Sequence, residues 1–408
     1  MPVCAFCLFG IDIITFLTDL GVFFTLYLIV SLSLNLEAGF AGVPNFGKVL
    51  FVAAGAAISG SVCGRLAAII LGIDTLGDFT GQTARIMPQV NAVLQHNIPL
   101  SFGLLLLGVL LALGIGGALG FLSSFPAIRL REDYLGMLLL GSAQLFQIFL
   151  GGTRDLVGGS AGIQVPDVFK WAEALGVRDI AVFGVFSVFA VLVYVYLERT
   201  ARSPLGRTLR AVRDNEVASR ALGKDDVAIR RNVIIVASAI SAMAGALLTF
   251  YAGSVGSETW TRYNWTFWIW VMVIMGGAAN NAGVALGSFS FLFLFKTVDI
   301  VKLRIQLPVD VNWIEYILFA SILISVLIFR PGGILPEKSS VTLPRGTVAA
   351  IMETRQRDDG RPKEQTTTLQ TATPTPNVET NSTRQHPDES WNRTLRLRFG
   401  CSDSRANR

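Results

Sequence analysis

The sequence predicts an all-α protein, a polytopic bundle of about eight to ten transmembrane helices. Three observations predict it. Only 15% of the 408 residues are charged and 52% are hydrophobic, whereas soluble domains carry about a quarter charged residues. Apolar runs near the length of a bilayer span recur along the chain, and they are apolar all round rather than on one face. Lys and Arg gather in a few loops, the asymmetry that orients spans in a membrane.

Hydropathy places spans at 20–36, 49–71, 99–123, 134–152, 179–197, 232–252, 265–283, 285–299 and 313–329. The second contains FVAAGAAISGSVCG, and its Gly and Ala content predicts a broken or re-entrant helix. Residues 1–19 lack a basic n-region and an A-x-A site, so insertion through the first span is expected rather than a cleaved signal. Cys4 and Cys7 form a CxxC with no second pair or histidine nearby. They read as small residues at an apolar edge rather than a redox or metal pair.

The loop at 198–231 carries nine basic residues, from Arg199 to Arg231. Arg129 and Arg131 stand in the loop near 124–133, and Arg330 opens a basic tail. The loops near 72–98, 253–264 and 300–312 hold one or two basic residues each. Positive-inside asymmetry then predicts a cytoplasmic 198–231 loop and C-terminus, with the N-terminus outside. Two domains follow: a transmembrane domain at 1–337 and a tail at 338–408. The tail is rich in Thr, Pro, Asn and Gln and reads as disordered.

Several chemistries are disfavoured. There is no G-x-x-x-x-G-K-[ST], so no ATP site of the chain's own is expected. His96 and His386 are the only histidines, which disfavours a histidine metal site or catalytic triad. No aromatic and basic platform for nucleic acid is present. Charged residues in the apolar runs, among them Glu37, Lys48 and Lys296, lie near predicted span ends and are expected to snorkel to the interface. The shortage of buried charge argues against coupling to protons or sodium, so the energy for any transport is expected from elsewhere.

Two groups of residues are candidates for function. Gln144 and Gln147 share a helix face, and Asn35 lies one turn from Gly39. With Gly42, Gly276, Gly277, Asn280 and Asn281 they either line a polar path or bind helices together. The second group lies in SPLGRTLRAVRDNEVASRALG, residues 203–223. Ser203 and Pro204 read as N-cap and first helical residue, with Leu205, Leu209 and Val212 as an apolar stripe. Asp214 or Asn215 caps a second short helix that carries Val217, Ala218, Ala221 and Leu222, and Gly223 stops it. Asp225 and Asp226 are candidate caps for the helix that re-enters the membrane. A solvated loop needs none of these signals, so a helical hairpin that docks a cytoplasmic partner is the sharper reading.

The sequence resembles the LivM-type permease subunits of branched-chain amino acid ABC transporters. The matching segments run in order. They are SLSLNLEAGFAGVPNFG at 31–47, AIRLREDYLGMLLLGSAQLFQIFL at 127–150, TRDLVGGSAGI at 153–163 and the hairpin at 203–223. ISAMAGALLTFYAG at 240–253, MGGAANNAGVALG at 275–287 and FRPGGILPE at 329–337 follow, and the tail has no counterpart. The resemblance implies an ABC importer permease in the plasma (inner) membrane. Its implied partners are two cytoplasmic ATPases, a second LivH-like permease and an external substrate-binding protein. ATP would bind to the ATPase subunits. It also implies that 214–223 is the coupling helix seated on an ATPase, with Arg213, Asp214, Glu216, Val217, Ala218, Arg220, Leu222 and Gly223 at the contact. Arg213, Glu216 and Arg220 would supply charge complementarity and Val217 and Leu222 the apolar filling. Ala279, Asn280, Asn281 and Lys48 depart from the family pattern, which leaves urea or short amides open as substrates. A stand-alone channel or facilitator is the alternative, but it does not account for the capped hairpin.

Overall fold

In a computed structural model the described residues are 7–8, 11–73, 79–130, 132–173, 175–304, 311–330 and 332–337. Residues Met1–Ser339 form one compact unit. The predicted tail at 338–408, Cys4 and Cys401 lie outside the described residues.

The chain opens with a short antiparallel pair, β1 (Cys7–Leu8) and β2 (Ile11–Asp12). α1 (Ile13–Leu34) ends in a π-helical turn, Asn35–Phe40, and α2 (Lys48–Ile70) follows the irregular connection 41–47. α3 (Thr83–Leu94) is a short amphipathic helix, α4 (Ile98–Arg129) and α5 (Glu132–Gly152) are long and apolar, and α6 (Arg154–Val157) is a single turn. A second strand pair joins β3 (Ile163–Gln164) to β4 (Ser254–Val255). Between those strands lie α7 (Lys170–Glu173), α8 (Arg178–Arg202), the hairpin helices α9 (Pro204–Asp214) and α10 (Glu216–Ala221), and α11 (Asp226–Ala252). After a π-helical turn at Tyr263–Phe267 come α12 (Trp268–Gly276), α13 (Asn281–Arg304) and α14 (Val311–Phe329).

Among the described residues, seven helices are long and apolar enough to cross a membrane, and Tyr316–Phe329 is a shorter apolar helix. The 263–276 segment rises only about 20 Å at 1.5 Å per residue, against a hydrocarbon core of about 30 Å. The apolar run is interrupted at 277–280, between α12 and α13.

α2 and α11 form the centre of the bundle, and α4, α5 and α8 expose apolar faces at its rim. The small residues of α2 explain that centre. Gly55 lies directly against the carbonyl of Ala242 on α11, and Gly245 of α11 against the carbonyl of Val52 on α2, with no room for a Cβ at either. Small residues let backbones approach where no water drives helices together. The predicted break in the second span is accordingly absent. Lys48–Ile70 is one continuous helix, because its glycines serve close packing instead.

The break is at 277–280, and it survives because its polar groups are satisfied by protein. The N–H groups of Ile334 and Leu335 donate to the carbonyls of Met275 and Gly276 at 2.9 and 3.1 Å. Asn35 Oδ1 accepts from the N–H of Ala279 at 2.8 Å. Ala279 holds φ +62°, a left-handed conformation rare for a side chain with a Cβ. Contacts group 41–47, the hairpin, 277–280 and 330–337 at one end of the bundle, called here the hairpin end. At the opposite end Arg178 binds Asp167 at 3.0 Å and the carbonyl of Tyr251 at 3.1 Å.

Candidate functional site

Helix α10 presents its apolar side chains outward. Val217 is 76% and Leu222 81% exposed. The local signals that build the hairpin are in place. Asn215 Oδ1 accepts from the N–H of Ala218 at 3.0 Å, Asp225 Oδ1 accepts from Ala228 at 3.0 Å, and Gly223 stops α10 at φ +76°. Ser203 stands at the N-cap, but its hydroxyl donates backward to the carbonyl of Thr200 at 2.7 Å. Leu209 and Val212 are buried as the stripe predicted, while Leu205 is half exposed.

The charges of the hairpin sit differently from expectation. Arg213 turns inward, donating to the carbonyl of Gly39 at 2.5 Å and to Glu337 at 2.9 Å, with Asp214 at 3.1 Å. Arg210 binds the other Glu337 oxygen at 3.0 Å and covers the ring of Phe40. Arg220 is shared by Asp226, at 2.7 Å, and Glu216, and the Asp226 carboxylate beside it raises its already high pKa. Glu216 also receives Arg230 at 3.2 Å. The charges expected to complement a partner are thus already paired within the chain, and they brace α10 against α11. Val217, Ala218, Leu222 and Gly223 remain on the outside.

A groove of about 620 Å³ runs between α5 and the 261–270 segment. Gln144, Gln147, Thr261, Arg262, Tyr263 and Thr266 supply its polar lining, and Leu140, Phe267, Trp270 and Phe46 its apolar lining. Gln147 Nε2 reaches the carbonyl of Ser257 at only 3.4 Å, and Gln144 Nε2 reaches Gln147 Oε1 at the same distance. Both are long for hydrogen bonds, so the chain itself holds the two amides only weakly. Phe46 and Trp270 stack at the hairpin end of this groove, with ring centroids 4.8 Å apart and an interplanar angle of 17°.

The other predicted pathway residues lie at the helix junction. Asn35 donates to Asn281 Oδ1 at 2.9 Å, and Asn281 donates to Glu198 at 2.9 Å. Asn280 donates to the carbonyls of Leu335 and Pro336 at 3.2 and 3.3 Å. Gly39 packs on the Asn35 amide, Gly276 on Gly283 and Gly287, and Gly277 on Leu335, while Gly42 rests on Arg213. These residues bind the interrupted helices together, and only Gln144 and Gln147 of the predicted set line the groove. Phe46, Trp270, Arg262 and Thr266 were missed. The one readable signal was the aromatic density of TRYNWTFWIW at 261–270.

Glu37 and Lys48 do not snorkel to the interface. They form an ion pair at 2.8 Å with neither side chain exposed, and Lys48 Nζ also reaches Ser33 and Ser241 at 3.2 and 3.3 Å. Each charge stays inside because the other neutralises it.

The family described as the permease component of branched-chain amino acid transport systems matches residues 16–327, and so spans every helix of the groove and the whole hairpin. The chain belongs to this family. Over 340 residues it is 36% identical to the probable branched-chain amino acid transport permease protein LivM of Methanocaldococcus jannaschii, covering 82% of this chain and 96% of that protein. It is 28% and 27% identical to the high-affinity LivM permease proteins of Salmonella typhimurium and Escherichia coli, in each case over 54% of this chain and 55% of the relative. No solved structure matches the chain. The protein is thus a multi-pass membrane permease of the ABC importer class, in a family of transport permeases.

Proposed function

We propose that this permease imports branched-chain or related amino acids, using ATP bound and hydrolysed by partner subunits. Two cytoplasmic ATPases dock on the hairpins of this chain and of a second, LivH-like permease. An external binding protein delivers the substrate, the N-terminus is external and the C-terminus cytoplasmic in the plasma (inner) membrane. One observation carries this reading: two bulky apolar side chains, Val217 and Leu222, stand exposed on a hairpin that paired charges hold rigidly against the bundle. An exposed apolar patch on a braced, polar scaffold is what a partner's groove buries.

The groove is the half of the translocation path that this chain supplies. Its lining is amphipathic, with amides and Arg262 for a polar head and Leu140, Phe267 and Trp270 for an aliphatic chain. It is open along one side, where the second permease closes it. Specificity resides mainly in the binding protein, so few polar residues are needed here.

The test is uptake by proteoliposomes holding both permeases and the ATPases, with the binding protein added outside. Leucine accumulation should require ATP and the binding protein. Leucine uptake that runs only to equilibrium and is unchanged without ATP would instead establish a facilitator, and competition by urea or short amides but not by leucine would reassign the substrate.

A further inference from the structure

The 41–47 connection touches both the hairpin and the groove, and this joins two sites that the sequence keeps apart. At one end of the connection, Gly42 holds φ +70° and lies so close to Arg213 that a Cβ there would meet its Cγ at 2.8 Å. At the other end, Phe46 stacks on Trp270 at the hairpin end of the groove. Pro44 stands between them and fixes one backbone angle of this short link. The segment is pinned internally by Val43 N–H donating to the carbonyl of Glu37 at 2.9 Å and Gly47 N–H donating to Asn45 Oδ1 at 2.9 Å.

The same segment fixes both rings of the stack. Trp270 Nε1 donates to the carbonyl of Asn45 at 3.1 Å, and Gly136 of α5 leaves the space that the edge of Phe46 fills. Gly47 lies against the carbonyl of Leu139, so the connection also touches the α5 wall. Arg213 is the last basic residue of α9 and stands three residues before Glu216, the first residue of α10, and the exposed Val217 of that helix and Leu222 at its end would carry a partner's pull. Its guanidinium holds the carbonyl of Gly39 at the root of the connection.

We infer that Arg213 is a positioning residue for transport: through Gly39 and Gly42 it holds the 41–47 connection so that Phe46 closes the groove on Trp270. Displacement of the hairpin releases that hold and parts the rings. This rests on the proposal that the groove is the path of the substrate. The stack is the gate at its inner end, and the hairpin is linked to it by the Arg213 side chain on the Gly39–Gly42 backbone rather than through the long helices.

The experiment uses proteoliposomes with the complete transporter, preloaded with radiolabelled leucine for efflux or empty for uptake. Phe46→Ala should raise ATP-independent efflux about tenfold, because the gate's open population rises by that factor. Phe46→Tyr keeps the ring and should restore wild-type efflux. Arg213→Ala should raise the ATP hydrolysed per leucine imported about tenfold, since hydrolysis no longer drives the gate. A purely structural role predicts that uptake and hydrolysis fall together with no efflux, and that result overturns the gate. Should Phe46→Ala fail to assemble, Trp270→Leu is read in the same assay, and wild-type efflux from it also overturns the proposal. A wild-type transporter with no ATP-driven uptake would sink the transport reading itself, which separates the two failures.

Discussion

Glu37 and Lys48, on opposite sides of the 41–47 connection, meet at 2.8 Å with both side chains fully buried. Removing one partner strands the other charge, at a cost of about 3–5 kcal/mol, whereas replacing both removes the desolvation as well as the attraction. Lys48→Met alone should therefore lower the melting temperature in detergent sharply. Glu37→Leu with Lys48→Met should recover most of the loss. If the single and double variants melt together, the pairing is not what stabilises this region.

The outward face of α10 gives a second prediction. Val217→Asp and Leu222→Asp put charge where an apolar groove is expected, and each should reduce ATPase co-purification by about tenfold, equivalent to roughly 1.4 kcal/mol. Their melting temperatures should stay near wild type, because both side chains are largely exposed. Glu216→Ala should do the reverse, since Glu216 pairs with Arg220 and Arg230. Co-purification of both Asp variants at wild-type levels would place the docking surface elsewhere.

The crossing of α2 and α11 gives a third. A side chain larger than hydrogen at Gly55 or Gly245 meets backbone that cannot rotate away. Gly245→Val should destabilise by about 1–3 kcal/mol or more through overpacking, and Gly184→Val, with open space around it, should not. Fluorescence size-exclusion profiles of the two variants expressed side by side will separate them. Equal monodisperse yield would contradict the packing account.

The groove gives a fourth. Gln147→Leu removes the amide nearest Ser257, and Arg262→Ala removes the one cation among the described lining residues. Both should lower leucine uptake several-fold, by about 1 kcal/mol of lost polar interaction per site, while assembly with the ATPases stays intact. Unchanged uptake in the two variants would remove the groove from the path.

How much of this was legible in the sequence follows from the range of each interaction. The hairpin's caps and its stop at Gly223 depend on neighbours three or four residues away, so spacing alone exposed them. The inward turn of Arg213 depends on Glu337, 124 residues on, and no local period announces it. Gly-rich α2 read as a broken helix because glycine serves both breaks and close packing, and only the position of α11 decides between them. Lys48 looked interfacial because hydropathy counts a charge without seeing its partner. The groove escaped notice because Phe46 and Trp270 are ordinary apolar residues until folding brings them face to face.

The tie between residues 275–276 and 334–335 bears on how the chain is made. The carbonyls of Met275 and Gly276 wait for partners supplied by Ile334 and Leu335, near the end of the described chain. During synthesis, α12 and α13 must enter the bilayer before those partners exist. The interrupted segment is then sealed only when α14 has been released and the irregular segment after it folds back. A chain ending after Phe329 should insert all its spans yet stay open to protease at 277–280, and full protection of that nascent chain would refute this order of assembly.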